Sequence, residues 1–278
     1  MTVDEHVHDV LIVGGGPAGM AAASSAADAG LDAVLIDERP TLGGQVYKQP
    51  GPGMRVADPR EMGTQYAAGR ALIDEVEASA AHVRLRTSVV DLEPAADGWT
   101  AMVQTEGEPV AAVRARRVIV AAGAHDRPVV FPGWTLPGVI TAGGLQTLAK
   151  TQSFVPGQRV VFAGSGPVAL AFPAQLAGYG ANIVPALEAG PAPSPADLVK
   201  IAASAPGNVG LLGDAARYQA ALLTHRIPLR YRRMVVRVEG DGRVERVVHA
   251  RVDRDWRIVP GSEESVEAHV LCLGYGFT

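Results

Sequence analysis

One cysteine, Cys272, is present among 278 residues. That single count excludes a disulfide within the chain, a Cys-x-x-Cys redox pair and a cysteine-ligated cluster. Aromatic residues are only 5% of the chain, which leaves little material for stacking platforms. Neither sign of charge dominates, and a formal net charge of −4 offers no bulk attraction to nucleic acid or to an anionic membrane. No apolar run approaches the length of a membrane span, and residues 1–9 lack the basic-then-apolar order of a secretory leader. The expectation is a soluble, cytoplasmic protein with no membrane span, no nucleic-acid partner and no metal.

What is abundant is glycine, alanine and aliphatic residues, with 47% of the chain apolar. The length suits about two domains of ordinary size. The first strong pattern is Asp9-Val10-Leu11-Ile12-Val13, a buried strand that breaks at Gly14-Gly15-Gly16-Pro17-Ala18-Gly19. An Ala-rich helix is expected from Met20 to about Ala29, with Gly30 stopping it as a C′ residue. Ala33-Val34-Leu35-Ile36 then reads as a second buried strand, ended by Asp37-Glu38-Arg39-Pro40. Strand, glycine turn, helix and strand in that order make a parallel βαβ unit with a right-handed crossover.

Residues 41–59 hold too many breakers for a regular element, and residues 60–80 read as a helix. Residues 82–92 and 99–105 look like strands joined by a turn at 93–98, and residues 117–121 form another buried strand ending at Ala122-Gly123. Two Pro-Gly pairs in residues 131–138 mark the candidate domain boundary. A helix is expected at 142–151, and then the opening pattern returns. Residues 159–163 are a strand, Gly164-Ser165-Gly166-Pro167-Val168-Ala169 the turn, 170–179 a helix and 182–187 a strand. The fold class expected is therefore α/β, with two Rossmann-like parallel-sheet domains in tandem over residues 1–135 and 136–278.

The first turn fits G-x-G-x-x-G as Gly14, Gly16 and Gly19. The three positions serve the tight turn, the approach of a pyrophosphate to bare backbone and the close packing of helix on sheet. The helix start at Pro17 and Ala18 offers unpaired amides and a positive dipole end to phosphate. Asp37 stands where an acid for a ribose hydroxyl is expected, and Glu38 beside it could exchange roles with it. The second turn has Gly164 and Gly166 but Ala169 at the third position, with Glu188 at the following strand end. An acid there repels a 2′-phosphate, which favours NAD or another unphosphorylated adenine nucleotide over NADP.

Other residues point less clearly to chemistry. His6 and His8 read as solvated, because a metal site needs further ligands that the sequence does not place. Five arginines in residues 226–237 read as a solvated strand face rather than a nucleic-acid surface. Cys272 reads as a small core residue, and His125-Asp126-Arg127 follows a strand end without forming a catalytic set.

Several segments together carry a family resemblance: residues 10–20 with 35–40, Gly43-Gly44-Gln45-Val46-Tyr47, residues 118–128, 131–143, 160–167 and 271–277. The chain resembles the two-dinucleotide-binding-domain flavoproteins of the pyridine nucleotide-disulfide oxidoreductase type, akin to thioredoxin reductase and glutathione reductase. Within them it is most similar to the α (A) subunits of opine oxidase, hydrogen cyanide synthase and dye-linked proline or hydroxyproline dehydrogenases. The resemblance implies FAD in the first domain, lined by Gly14, Gly16, Gly19, Asp37, Gly44 and Gln45, with Ala122-Gly123 beside it and backbone near Val89 meeting the adenine. It implies a second adenine nucleotide in the inserted domain. It also implies a partner, a flavoprotein β subunit, which oxidises the small-molecule amine or imino acid while this chain passes electrons.

The chain departs from the resemblance in two respects. It has no Cys-x-x-Cys, so dithiol exchange is not expected. It stops at 274–278, where relatives continue with a return segment, so the FAD domain is expected to be incomplete at its C-terminal end. Two rival readings stay open at this level: a free-standing NAD(P)H-dependent flavin reductase, and a non-catalytic nucleotide-binding scaffold or truncated subunit. No catalytic residue is assigned.

Overall fold

Val10, Leu11 and Ile12 follow one another without a polar break, and such a strand needs both faces covered. The computed structural model, which describes residues 2–51, 53, 64–152, 154–155 and 159–278, supplies both covers. Two compact units divide the chain: residues 1–124 with 150–152, and residues 125–149 with 153–278. Residues 125–135, expected with the first domain, therefore cluster with the second.

In the first unit, β1 (Thr2–Val13) is followed by α1 (Pro17–Asp28), β2 (Ala33–Ile36), α2 (Thr64–Ala78) and β3 (His82–Arg84). Then come β4 (Thr87–Ala95), β5 (Gly98–Thr105) and β6 (Ala111–Val120). The sheet order is β3-β2-β1-β6-β5-β4. The first four strands of that order run parallel, while β6, β5 and β4 pair antiparallel. Alternate residues of β1 then meet different covers. Val10 and Ile12 pack with Met20, Ala23 and Ala26 of α1 and Ile73 and Val76 of α2. Leu11 packs with Ala101, Val103, Val113 and Ala115 of the antiparallel strands. Leu11, Ile12 and Leu35 are fully buried, and each such side chain contributes roughly 1.5–3 kcal/mol of transfer free energy.

α1 begins three residues before the expected Met20, because Pro17 occupies the first helical position, where a missing N–H costs nothing. Its end is the expected one. Gly30 has φ +73, its N–H donates to Ala27 O (2.9 Å), and Leu31 N–H donates to Ala26 O (3.0 Å), a Schellman closure. The single strand expected over 82–92 is broken at Arg86 (φ +51), where the chain leaves a parallel pairing for an antiparallel one. The turn expected over 93–98 is largely strand, since Glu93 pairs with Thr100 and Ala95 with Gly98. The start of the helix expected at 60 lies outside the described residues.

The second unit opens with β7 (Val139–Thr141), α3 (Ala142–Gln152), β8 (Val160–Gly164), α4 (Val168–Gly178) and β9 (Ile183–Glu188). It continues with α5 (Pro195–Ala203), α6 (Ala205–Thr224), β10 (Leu229–Tyr231), β11 (Arg233–Glu239), β12 (Arg246–Arg251), β13 (Glu264–Glu267) and β14 (Val270–Gly274). A parallel sheet of order β10-β9-β8-β14-β7 carries the second glycine turn. β11, β12 and β13 form a separate antiparallel sheet. One face of the parallel sheet packs under α3, α4 and α6 through Phe162, Leu145, Leu176 and Leu222. The other face, with Val161, Leu187 and Leu271, packs against Val235, Val238 and Val247 of the small sheet. β8 is thus covered on both sides, as β1 is. Among the described residues, no helix is long and apolar enough to cross a membrane.

Candidate cofactor sites

At the carboxyl end of β1 the chain turns at Gly14, whose φ of +107 is a conformation an L side chain rarely adopts. Its N–H donates to Ile36 O (2.8 Å), and a Cβ there would run into the carbonyl of Ala121. Ala121 N–H in turn donates to Val13 O (2.8 Å). The ends of β1, β2 and β6 therefore close on one glycine, and Ala122 and Gly123 follow on the exposed side.

α1 starts three residues further on. Its N-cap, Gly16, is extended (φ −77, ψ −176) and provides no side-chain cap, and the first turn holds no acid. An uncapped helix start presents amides and a positive dipole end to an anion. Gly44 faces it. Gly44 has φ +59, and a Cβ on it would lie 2.7 Å from Gly16 Cα. Gly43 N–H donates to Gly15 O (2.9 Å), which ties the two bare backbone stretches together. A Cβ at Gly19 would strike the carbonyl of Gly14, so helix and turn also depend on a missing side chain there.

Asp37 is buried, and both of its carboxylate oxygens are engaged. Oδ2 accepts from Gly15 N–H (2.5 Å) and Oδ1 from Arg39 N–H (2.7 Å). Its backbone pairs with the β3–β4 corner, through Asp37 N–H to Arg84 O (3.0 Å) and Thr87 N–H to Asp37 O (3.0 Å). Val89, two residues along β4, is half-buried against Leu11, Val34 and Ile36. Glu38 and Gln45 are solvent-exposed and take no part in these bonds. The structure therefore joins Gly14, Gly16, Gly19, Asp37, Gly44 and the strand end at 121–123 into one loop cluster, with Val89 close to its acid corner. Sequence reasoning missed Leu42, which is buried beside Gly15, and it missed that Asp37 braces the turn from below. An apolar residue just before Gly43-Gly44 was the available signal.

In the second unit Gly164 ends β8 opposite Gly274 of β14, and Ser165 N–H donates to Gly274 O (3.1 Å). A Cβ on Gly164 would lie 2.5 Å from that carbonyl, so Gly274 is a part of the turn that the motif alone did not reveal. Gly166 has φ +76 with nothing within 4 Å of an added Cβ. α4 follows with Pro167 as N-cap and no side-chain cap, and Ala169 is buried in the core below. Glu188 is buried and accepts from Gly190 N–H at 2.6 Å (Oε1). Burial, together with the negative charge of Glu188, raises the phenols of Tyr231 and Tyr275, the latter to about 12 although its oxygen accepts from Val235 N–H.

The remaining candidates are structural. Asp126 Oδ2 accepts from Gly143 N–H (2.8 Å) at the start of α3, and His125 pairs through its backbone with Thr278. Cys272 is fully buried, and burial, with Asp126 nearby, pushes its thiol up, away from the nucleophilic form. Among the arginines of 226–237, Arg230 and Arg233 both bind Glu264 (2.8 Å each), and Arg237 binds Glu263 (2.7 Å) and Glu239 (2.8 Å). These three charges are answered by glutamates on or next to the small sheet.

The model of the pyridine nucleotide-disulphide oxidoreductase family matches residues 8–278. Hydrogen cyanide synthase subunit HcnB of Pseudomonas aeruginosa is 36% identical over 276 residues, which is 96% of this chain and 56% of that protein. The opine oxidase A subunit of Rhizobium meliloti is 37% identical over 170 residues, covering 60% of this chain and 35% of that protein. The chain thus spans about half the length, or less, of these curated relatives. Among solved structures, thioredoxin reductase of T. acidophilum superposes with a TM-score of 0.68 at 19% identity, over 98% of this chain and 78% of that one. L-proline dehydrogenase of P. horikoshii does so with 0.63 at 21%, over 100% of this chain and 43% of that one. At such identities the structures speak for the fold, whereas the family match runs through both glycine turns, and the chain belongs to the pyridine nucleotide-disulphide oxidoreductase family.

Proposed function

We propose that this chain is the cofactor-holding part of an FAD-dependent oxidoreductase subunit, which passes electrons in the oxidation of an amine, amino acid or opine by a partner subunit. The observation that carries the reading is the uncapped start of α1 at Gly16 facing Gly44, two stretches of bare backbone that side chains would fill. That cradle fits a pyrophosphate. Gly14, Gly16, Pro17, Ala18 and Gly19 would hold it with amides and dipole, and Gly44 and Gln45 would close it from the other side.

Asp37 braces Gly15 and Arg39, so its work is to hold the turn in shape. Glu38, exposed beside it, is the carboxylate that would accept from the ribose hydroxyls. Val89 would border the adenine, and Ala122-Gly123 the flavin side. Flavin, when bound, supplies the two-electron chemistry, and the chain supplies position and electrostatic setting. In the second unit, Gly164, Gly166, Ala169 and Glu188 would take NAD or another adenine nucleotide, with the buried acid disfavouring a 2′-phosphate. A partner is supported by the relatives' names, since HcnB, opine oxidase A and sarcosine oxidase alpha are all named as subunits.

The test is the visible spectrum of the purified chain, with released nucleotides identified by mass. A flavin spectrum with FAD released, no bleaching by NADH, and reduction through a β subunit supplied with its amine substrate are the expected results. A chain that stays colourless after incubation with FAD would overturn the reading. Bleaching by NADH alone would leave the flavin assignment standing and remove the partner.

A further inference from the structure

The sequence left His6 and His8 without further ligands, and the fold brings those ligands in. Residues two apart on a strand share a face, so His6 and His8 project together from β1. Asp32 precedes β2 and His82 opens β3, and the order β3-β2-β1 sets these two beside the stretch of β1 that carries His6 and His8, ahead of the β1–β2 pairing. His6 Nε2 lies 2.5 Å and His8 Nδ1 3.0 Å from Asp32 Oδ2, and His82 Nε2 lies 3.6 Å from Asp32 Oδ1. The ligand atoms of His6, His8 and Asp32 all lie within 4.8 Å of one another. This is the sheet end opposite Gly14, so the cluster is separate from the cofactor turn.

We propose that His6, His8, Asp32 and His82 form a site for a divalent transition-metal ion of the zinc class. Three imidazoles and one carboxylate are a donor set that zinc accepts in a tetrahedral shell. At Zn–N and Zn–O distances of about 2.0–2.2 Å, neighbouring ligand atoms stand roughly 3.3 Å apart. His6 and His8, 2.5 and 3.0 Å from one Asp32 oxygen, already stand near that value, and the exposed His82, 3.6 Å from the other oxygen and outside the 4.8 Å group, would swing in as the fourth ligand.

The rigid members are the right ones. The side chains of His8 and Asp32 are 12% and 29% exposed, whereas those of His6 and His82 are 59% and 66% exposed and can swing. Asp32 is fixed by its own backbone. Its carbonyl accepts from Asp9 N–H (2.9 Å) and Val10 N–H (3.2 Å), and its N–H donates to Asp9 Oδ2 (3.1 Å). Asp9, which accepts from the Asp32 N–H, lies 3.8 Å from Arg116, so its charge beside Asp32 is offset. The ion would staple β1 to the starts of β2 and β3 and so stabilise the sheet that carries the cofactor turn.

The experiment is calorimetric titration of the chelator-stripped full chain with ZnCl2 at pH 7.5, followed by thermal melts with and without Zn2+. One saturable ion per chain and a raised melting temperature are expected. Asp32→Asn and His82→Gln should each weaken binding by about tenfold or more, and His8→Gln should remove it. His82 is exposed, so His82→Gln should fold normally, which circular dichroism checks. No binding heat would overturn the proposal. So would an affinity unchanged in both Asp32→Asn and His82→Gln, which would leave only an adventitious His-x-His pair. Neither result depends on flavin being bound, so the metal site and the proposed function fail separately.

Discussion

In the first βαβ unit, Gly14 turns at φ +107 under the Ala121 carbonyl, and Asp37 has both oxygens bonded to backbone amides. In the second, Gly166 turns at φ +76 with open space around it, and one oxygen of Glu188 meets one amide. The same supersecondary unit is thus built to two tolerances. In the first, strand ends, turn and acid fix one another, and a change at any of them is felt by the rest. In the second, the tight point sits at the equivalent glycine, Gly164, against the Gly274 carbonyl, while the helix start accepts a buried methyl at Ala169, where a Cβ on Gly19 would strike backbone. A fingerprint of spaced glycines reports where the backbone turns, and the neighbours decide how much each glycine matters.

The largest test of this contrast is a pair of identical substitutions. Gly14→Ala places a methyl against a backbone carbonyl at a strained φ and should cost on the order of 4 kcal/mol, with loss of flavin retention. Gly166→Ala meets only the backbone strain and should cost about 1 kcal/mol. Denaturant melts of both variants measure the difference, and equal costs would contradict the contrast between a glycine held against a carbonyl and one in open space. Next in size are the acids. Asp37→Asn removes the charge from two short bonds, to one buried and one half-buried amide, and should destabilise by about 3 kcal/mol, whereas Glu188→Gln keeps one acceptor and should cost about 1 kcal/mol.

The last test sharpens the comparison by pH. His249 on β12 is fully buried, its ring nitrogens have no hydrogen-bond partner among the described residues, and burial, then the Arg233 charge, lowers it to about 4. A histidine depressed when folded is neutral there and protonated in the unfolded chain, so stability falls as the pH drops from about 6.5 toward 4. The loss is at most about 3 kcal/mol and belongs to the second unit. His249→Leu should flatten that pH dependence in urea melts between pH 4 and 6.5.

The parallel strands were legible because burial on two faces writes itself as an unbroken apolar run, as at Val10–Ile12 and Ala33–Ile36. The turns were legible because glycine is required where backbone meets backbone. The corner at Arg86 was not, since a non-glycine residue carries no mark of a positive φ imposed by bonds to Arg39 and Asp37. Asp37 was assigned from its position at a strand end, which does not tell whether an acid faces a ligand or its own loop. The placing of β13 in the small sheet was hidden because Arg233 and Arg237 pair with Glu264 and Glu263, which lie far along the chain. The His6, His8, Asp32 and His82 cluster was hidden for the same reason, and the expectation that the two leader histidines are simply solvated gives way to a shared carboxylate.

The bare first turn of α1 reaches beyond binding. A helix whose first turn has no side-chain cap leaves that role to whatever anion arrives, so its folding becomes a titration. On the proposed reading, FAD at a hundred times its dissociation constant would add about 2.7 kcal/mol to stability, a large part of what an ordinary domain possesses. The amount of folded protein in a cell would then follow the supply of flavin, and a shortage would be read first as degradation of the chain rather than as slower turnover.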